Sequence, residues 1–304
     1  MTNSFALALF GYAILAVVFI LDKSILTKTL KNPAVYAFYS TIFFIPLFLL
    51  SPFFSIPSAA NILWATVSGL AFGFALWASF IAFKHGETSH ISPFIGAITA
   101  LATYFFSFLI LKGSLNGFQE IGLALLVISS LLISFEKSRE HNGFHIGFIW
   151  AMLSGVLYAL SHVSAKYIYD LYPFVSGLIW TKSTIGLVGL VILLVPNLRR
   201  SIFSKKGSVE PKTAAAEKSH TFGIVLSDKI LSIVGVLAIQ YAIAIGNVTI
   251  VNALAGVQYV LMFIFIYLLT KFRPKVFYEY FTKKEVLIQV IAILLAASGL
   301  LFLK

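Results

Sequence analysis

Two stretches decide how this chain of 304 residues is read: Gly86-Glu87-Thr88-Ser89-His90-Ile91-Ser92-Pro93-Phe94-Ile95-Gly96 and Gly246-Asn247-Val248-Thr249-Ile250-Val251-Asn252-Ala253-Leu254-Ala255-Gly256. They share the pattern G-x-x-[ST]-x-[IV]-[SN]-x-x-x-G at a separation of 160 residues, and each joins two long apolar runs. Lys23 precedes Pro33 after the first run as Lys166 precedes Pro173 after the sixth. Residues 123–133 resemble 291–301, with Ser130 opposite Ser298. Three matches in the same order point to a duplication of a five-helix unit. Because five is odd, the two copies cross a bilayer in opposite senses, the inverted-repeat plan whose site lies between the copies near the midplane.

Working outward from that pair, the rest of the chain agrees. It is 60% hydrophobic and 11% charged, with 30 Phe, against about 25% charged residues in ordinary soluble domains. Those values exclude a disordered chain and are poor in polar surface for a soluble one. Ten uncharged apolar runs lie near 4–21, 34–50, 62–83, 91–111, 118–135, 146–168, 174–195, 229–246, 249–269 and 286–303. Each approaches the ~20 residues that span about 30 Å of hydrocarbon. None alternates with the period of two that a membrane barrel needs. Residues 4–21 read as a retained helix, since no basic segment precedes them and no small-residue cleavage site follows. The expectation is an all-α membrane protein of ten transmembrane helices, with residues 1–140 as one repeat and 141–304 as the other. Residues 196–228 read as a mobile basic loop.

The net charge of +11 would suggest nucleic acid in a soluble protein, but its distribution reads as topology. Seventeen Lys and Arg fall in the odd-numbered loops, against two (Lys112 and Lys304) on the other face. Positive loops stay cytoplasmic, so both termini are expected outside, in the cytoplasmic membrane, with no nucleic acid partner. The chain has no cysteine, which removes disulfides and Cys-containing metal sites. The six His are scattered, and no nucleophile, metalloprotease or phosphate-loop motif occurs. No cofactor, metal or catalytic residue is expected.

The layout resembles the drug/metabolite transporter superfamily, specifically chains with two EamA-type domains. The residues that carry the likeness are Phe83–Gly96 with the helix after it, Ile243–Gly256, the first helix ending in Lys23, and Tyr158-Ala159-Leu160 leading to Lys166. The resemblance covers nearly the whole chain apart from 196–228. It implies a carrier moving small organic solutes by alternating access. The chain departs from the family in having Lys112-Gly113 where an acidic residue is common after the fourth helix. The termini also fall on the opposite side from the family's habit.

Within spans, ionisable side chains cost about 2.5–3.5 kcal/mol at the helix centre, so each invites a reason. Lys182 is the deepest, some 12 Å into its helix at about 1.5 Å per residue. It reads as a cation for a substrate carboxylate or phosphate, with a lysine held by backbone carbonyls as the alternative. Lys166, four residues before Asp170, forms either a surface pair or part of the site, and Lys23 has the same two readings. His162, one turn from Tyr158, is either a hydrogen-bonded core imidazole or a proton carrier. Trp77 and Trp180 are packing or a wall for an apolar solute. Ser92, Gln240, Asn252, Gln258 and Tyr259 are helix–helix hydrogen-bonders or polar lining. All eleven acidic residues are expected in loops or at helix ends, which disfavours a cationic substrate. The reading is a secondary transporter of a neutral, zwitterionic or anionic metabolite. The alternatives are a non-transporting scaffold or a polytopic enzyme, and a homodimer is left open.

Overall fold

The architecture is that of a computed structural model, which describes residues 2–28, 32–86, 88–134, 145–203, 215–272 and 283–303. It is all-α, with no strand among the described residues. The helices are α1 (Thr2–Lys28), α2 (Pro33–Ile42), α3 (Ala59–His85), α4 (Thr88–Phe106), α5 (Gly117–Ile133), α6 (Ile146–Leu171) and α7 (Phe174–Ser183). They continue with α8 (Gly186–Leu194), α9 (Pro196–Phe203), α10 (Ala215–Ile245), α11 (Val248–Ala253), α12 (Ala255–Phe272) and α13 (Lys283–Leu303). A 3₁₀ segment, Ile45–Phe53, prolongs α2, and a π turn, Ser107–Leu111, prolongs α4. Among the described residues nine stretches are long and apolar enough to cross a membrane, and Gly117–Ile133 is a shorter apolar helix of 17 residues.

The helix starts follow from side chains that satisfy otherwise orphaned N–H groups. Asn32 accepts from the Ala34 N–H at 3.0 Å, with Pro33 at the first helical position. Asn116 and Gln119 form a reciprocal capping box at α5 (2.9 and 3.2 Å). In the second of the two deciding stretches, Asn247 accepts from the Thr249 and Ile250 N–H groups (2.9 and 3.3 Å) and starts α11. In the first, Glu87 and the side chains of Thr88 and Ser89 lie outside the described residues.

The polarity of the bundle is inverted relative to a soluble protein. Phe43, Leu49, Phe53, Leu194 and Leu301 are over 70% exposed, whereas Ser68, Ser92, Ser161, Asn252 and Gln240 are buried. An outer surface this apolar suits hydrocarbon, where the hydrogen-bonding is turned inward. Serines join the helices across their interfaces. Ser68 Oγ donates to the Ser161 carbonyl at 2.9 Å, Ser154 to Ala75 at 2.9 Å and Ser129 to Ala292 at 2.7 Å.

The main packing pairs are α3 with α6, α1 with α10, α5 with α13, α4 with α6, α4 with α5, α1 with α12 and α2 with α8. Small residues let backbones meet. A methyl group added at Gly122 would sit 2.9 Å from the Gly299 carbonyl, and one at Gly11 would sit 2.9 Å from that of Gly235. Helices α1 and α10 run antiparallel, since Ser4 faces Gly246 while Leu15 faces Gly235.

Three expectations are corrected. The seventh apolar run is two helices, α7 and α8, meeting at Thr184-Ile185 through short-range bonds such as Ile185 N–H to Lys182 O (3.1 Å). The ninth is divided at Leu254 in the same way, with Val257 N–H on the Leu254 carbonyl at 3.0 Å. Neither break contains proline, so neither was visible in the punctuation. The third concerns the basic loop: residues 196–203 and 215–228 are helical, and 204–214 lie outside the described residues.

Candidate functional site

Helix α6 presents Tyr158 and His162 one turn apart on a face turned toward α3 and α11. Their neighbours Ser161 and Val163 are wholly buried, yet Tyr158 and His162 keep part of their surface accessible. Phe72 of α3 meets Tyr158 edge-on (centroids 5.3 Å apart) and lies 6.3 Å from the His162 ring. On the other side stands Asn252 of α11.

The Asn252 amide fixes a proton position. Its Nδ2 donates to Thr103 Oγ1 of α4 at 2.9 Å, so its oxygen faces His162 Nδ1 at 2.9 Å and must receive a hydrogen from it. With the amide in that orientation, a neutral imidazole carries its hydrogen on Nδ1 and leaves Nε2 as an acceptor. Tyr12 of α1 donates to the same amide oxygen at the long distance of 3.5 Å. Four helices thus converge on one asparagine. Tyr259 of α12 closes the group. Its ring occupies the place a side chain at position 96 would take, which is why glycine stands there.

Lys182 lies one residue before the end of α7 and is only 4% exposed. Its ammonium stands 4.6 Å from the centre of the Phe72 ring, a cation–π contact. Among the described residues no hydrogen bond or ion pair reaches it. Next to it Thr181 is buried beneath Tyr169, whose hydroxyl donates to Gln240 Oε1 at 2.8 Å and lies 3.4 Å from Thr181 Oγ1.

The sequence-selected residues separate on this geometry. Lys182, His162, Tyr158, Asn252 and Tyr259 surround one region, and Gln240 borders it through Tyr169. Ser92 and Gln258 are buried nearby on α4 and α12, with Ser92 Oγ and Gln258 Nε2 lacking a partner among the described residues. Trp77 stacks on Phe74 (6.4 Å) in the separate packing of α2, α3 and α8. The Trp180 indole donates to the Ser55 carbonyl at 3.3 Å, toward the 3₁₀ end. Lys166 pairs with Asp170 at 2.7 Å and donates to the Ala244 carbonyl at 3.0 Å. The side chain of Lys23 lies outside the described residues. Among the described residues no three His, Asp or Glu side chains converge as metal ligands do.

Sequence reasoning missed Phe72, Tyr12 and Thr103, which look like ordinary helix residues until the packing brings them together. It also set every carboxylate in a loop or at a helix end, and that is corrected for two of them. Asp22 is 9% exposed, six residues before the end of α1, and Asp228 is wholly buried inside α10. Lys229 stands between them, 3.0 Å from Asp228 Oδ2 and 4.0 Å from Asp22 Oδ1. Tyr36 of α2 donates to Asp22, and the Lys229 ammonium donates to the Tyr36 hydroxyl at 3.1 Å.

No protein-family model matches the chain, and no curated protein sequence matches it. One solved structure, described only as a crystal structure of a protein, is similar over 98% of this chain and 94% of its own. The TM-score is 0.62 and the identity 15%. At that identity the likeness speaks for the fold alone.

Proposed function

We propose that this protein is a secondary carrier of the drug/metabolite transporter kind. It moves a small organic solute across the cytoplasmic membrane by alternating access. Counting Gly117–Ile133 as a span gives ten crossings, and residues 1–140 and 141–304 form the two inverted halves. The packing supports that plan. Exchanging the halves turns the α3–α6 contact into α1–α10 and the α4–α6 contact into α1–α12, while α5–α13 and α2–α8 map onto themselves. A duplicated bundle with a two-fold axis between its halves has that property.

The observation that carries the functional reading is Lys182. A buried ammonium without a carboxylate beside it is expensive to hold, and a solute bearing a carboxylate or phosphate would complete the pair when bound. Phe72 and Tyr158 give an aromatic wall, while His162 Nε2 and the accessible Tyr158 supply polar contacts. The substrate is accordingly an anionic or zwitterionic metabolite, with neutral solutes weaker. The test is counterflow in liposomes holding the purified chain and a mixture of labelled metabolites. Exchange of at least one anionic or zwitterionic solute is expected; no exchange of any solute would leave a scaffold instead. A C-terminal reporter that signals from the cytoplasm would overturn the charge-based orientation.

A further inference from the structure

The geometry points to a proton-binding site, separate from the Lys182 region, where Asp22 of α1 and Asp228 of α10 share one cation among the described residues, Lys229.

Charge balance comes first. Two carboxylates face one ammonium, leaving one negative charge uncompensated among the described residues, at a position where water is scarce. The two acids are not held alike. Asp22 receives a hydrogen bond from Tyr36 and keeps 13% of its side chain exposed. Asp228 has none of its side chain exposed, and neither of its oxygens receives a hydrogen bond among the described residues. The Lys229 ammonium is 3.0 Å from Oδ2, and Oδ1 has no hydrogen-bond partner among the described residues. A buried carboxylate in that position is relieved by a proton, since the neutral acid costs far less to keep from water than the anion. The step is simple: one proton from water adds to an Asp228 oxygen, and the local charge goes from minus one to zero.

The Lys229 side chain is 38% exposed, which makes it the most accessible member of the group. The groups facing the pair are few. From α1 comes Asp22; from α2, Tyr36, with the Phe80 ring of α3 against it at 4.5 Å; from α10, Asp228 and Lys229 themselves. From α6 comes Tyr158, whose phenol lies within electrostatic range of Asp22. That residue is also the one that meets Phe72 in the Lys182 region.

The experiment needs no solute. Infrared spectra of the full chain in lipid vesicles are recorded while the buffer is taken from acid to alkaline. The expected result is a protonated-carboxyl stretch, shifted by deuterium, that disappears as the pH rises. It should be lost or halved in Asp228→Asn and displaced, but present, in Asp228→Glu. Lys229→Met should carry the band to more alkaline pH, because the cation that favours the ionised form is gone. Size-exclusion profiles and melting curves confirm that each variant is folded. Absence of the band from the wild-type protein overturns the proposal, as does a band unchanged in both Asp228→Asn and Asp22→Asn. Bleaching by sodium chloride at fixed pH also overturns it, in favour of a metal cation. Because the readout does not depend on counterflow, failure here and failure of the carrier reading are distinguishable.

Discussion

Two lysines inside this bundle, Lys182 buried and Lys229 partly exposed, are opposites in their surroundings. Among the described residues Lys182 has an aromatic ring and no carboxylate, while Lys229 has two carboxylates and a phenol. One region carries an excess positive charge and the other an excess negative one. Charge left unmatched inside a low-dielectric bundle is a cost that folding alone does not explain. Each imbalance names what would relieve it: an anionic group at Lys182 and a proton at the acid pair. Residue type says little here, since both are lysines on apolar helices. What distinguishes them is the helix opposite, α3 with Phe72 in one case and α1 with Asp22 in the other.

That contrast can be broken experimentally, and the largest effect is expected at Lys182. Lys182→Met should weaken binding of an anionic solute by roughly 30- to 150-fold, the loss of a charge-assisted contact of about 2–3 kcal/mol. The same variant should melt no earlier than the wild type, because it removes an unpaired buried charge. A melting point several degrees lower would mean the ammonium has a structural partner. Lys229→Met is predicted to behave in the opposite sense and destabilise by roughly 1–3 kcal/mol at neutral pH. That is below the ~3–5 of a fully buried broken pair, because Lys229 is partly exposed. Denaturation in mild detergent reads both, and equal shifts for the two methionine variants would dissolve the distinction. Asn252→Leu should cost about 1–2 kcal/mol by stranding His162 Nδ1–H and Thr103, measured by the same melts. The smallest change belongs to Lys166→Ala, about 0.3–0.5 kcal/mol for an i,i+4 pair. Counterflow should be unaffected, and its loss would return Lys166 to the site.

The architecture was largely legible in the sequence because bilayer thickness imposes a length on each apolar run, and length survives without knowledge of the contacts. The breaks at Thr184-Ile185 and Leu254 were not legible. They arise from tertiary packing, with Thr184 Oγ1 donating to the Ala65 carbonyl at 3.1 Å, and no proline marks them. Of the site, Lys182, His162 and Asn252 stood out because polarity is rare in such runs. Phe72 did not, being one phenylalanine among 30. Asp228 was misplaced for a related reason. The apolar run began at residue 229, but the helix that contains it begins at Ala215, so a residue that looked like a boundary is an interior one.

The glycine contact between α5 and α13 limits how the molecule can move. Helices that meet at Gly122 and Gly299, with Leu303 and Leu126 pressed against the same spot, have little free space there to take up sliding. The Ser129 hydroxyl on the Ala292 carbonyl ties the same seam a little further along. A movement that slid α5 along α13 would have to break both contacts, so this seam is where the bundle yields least.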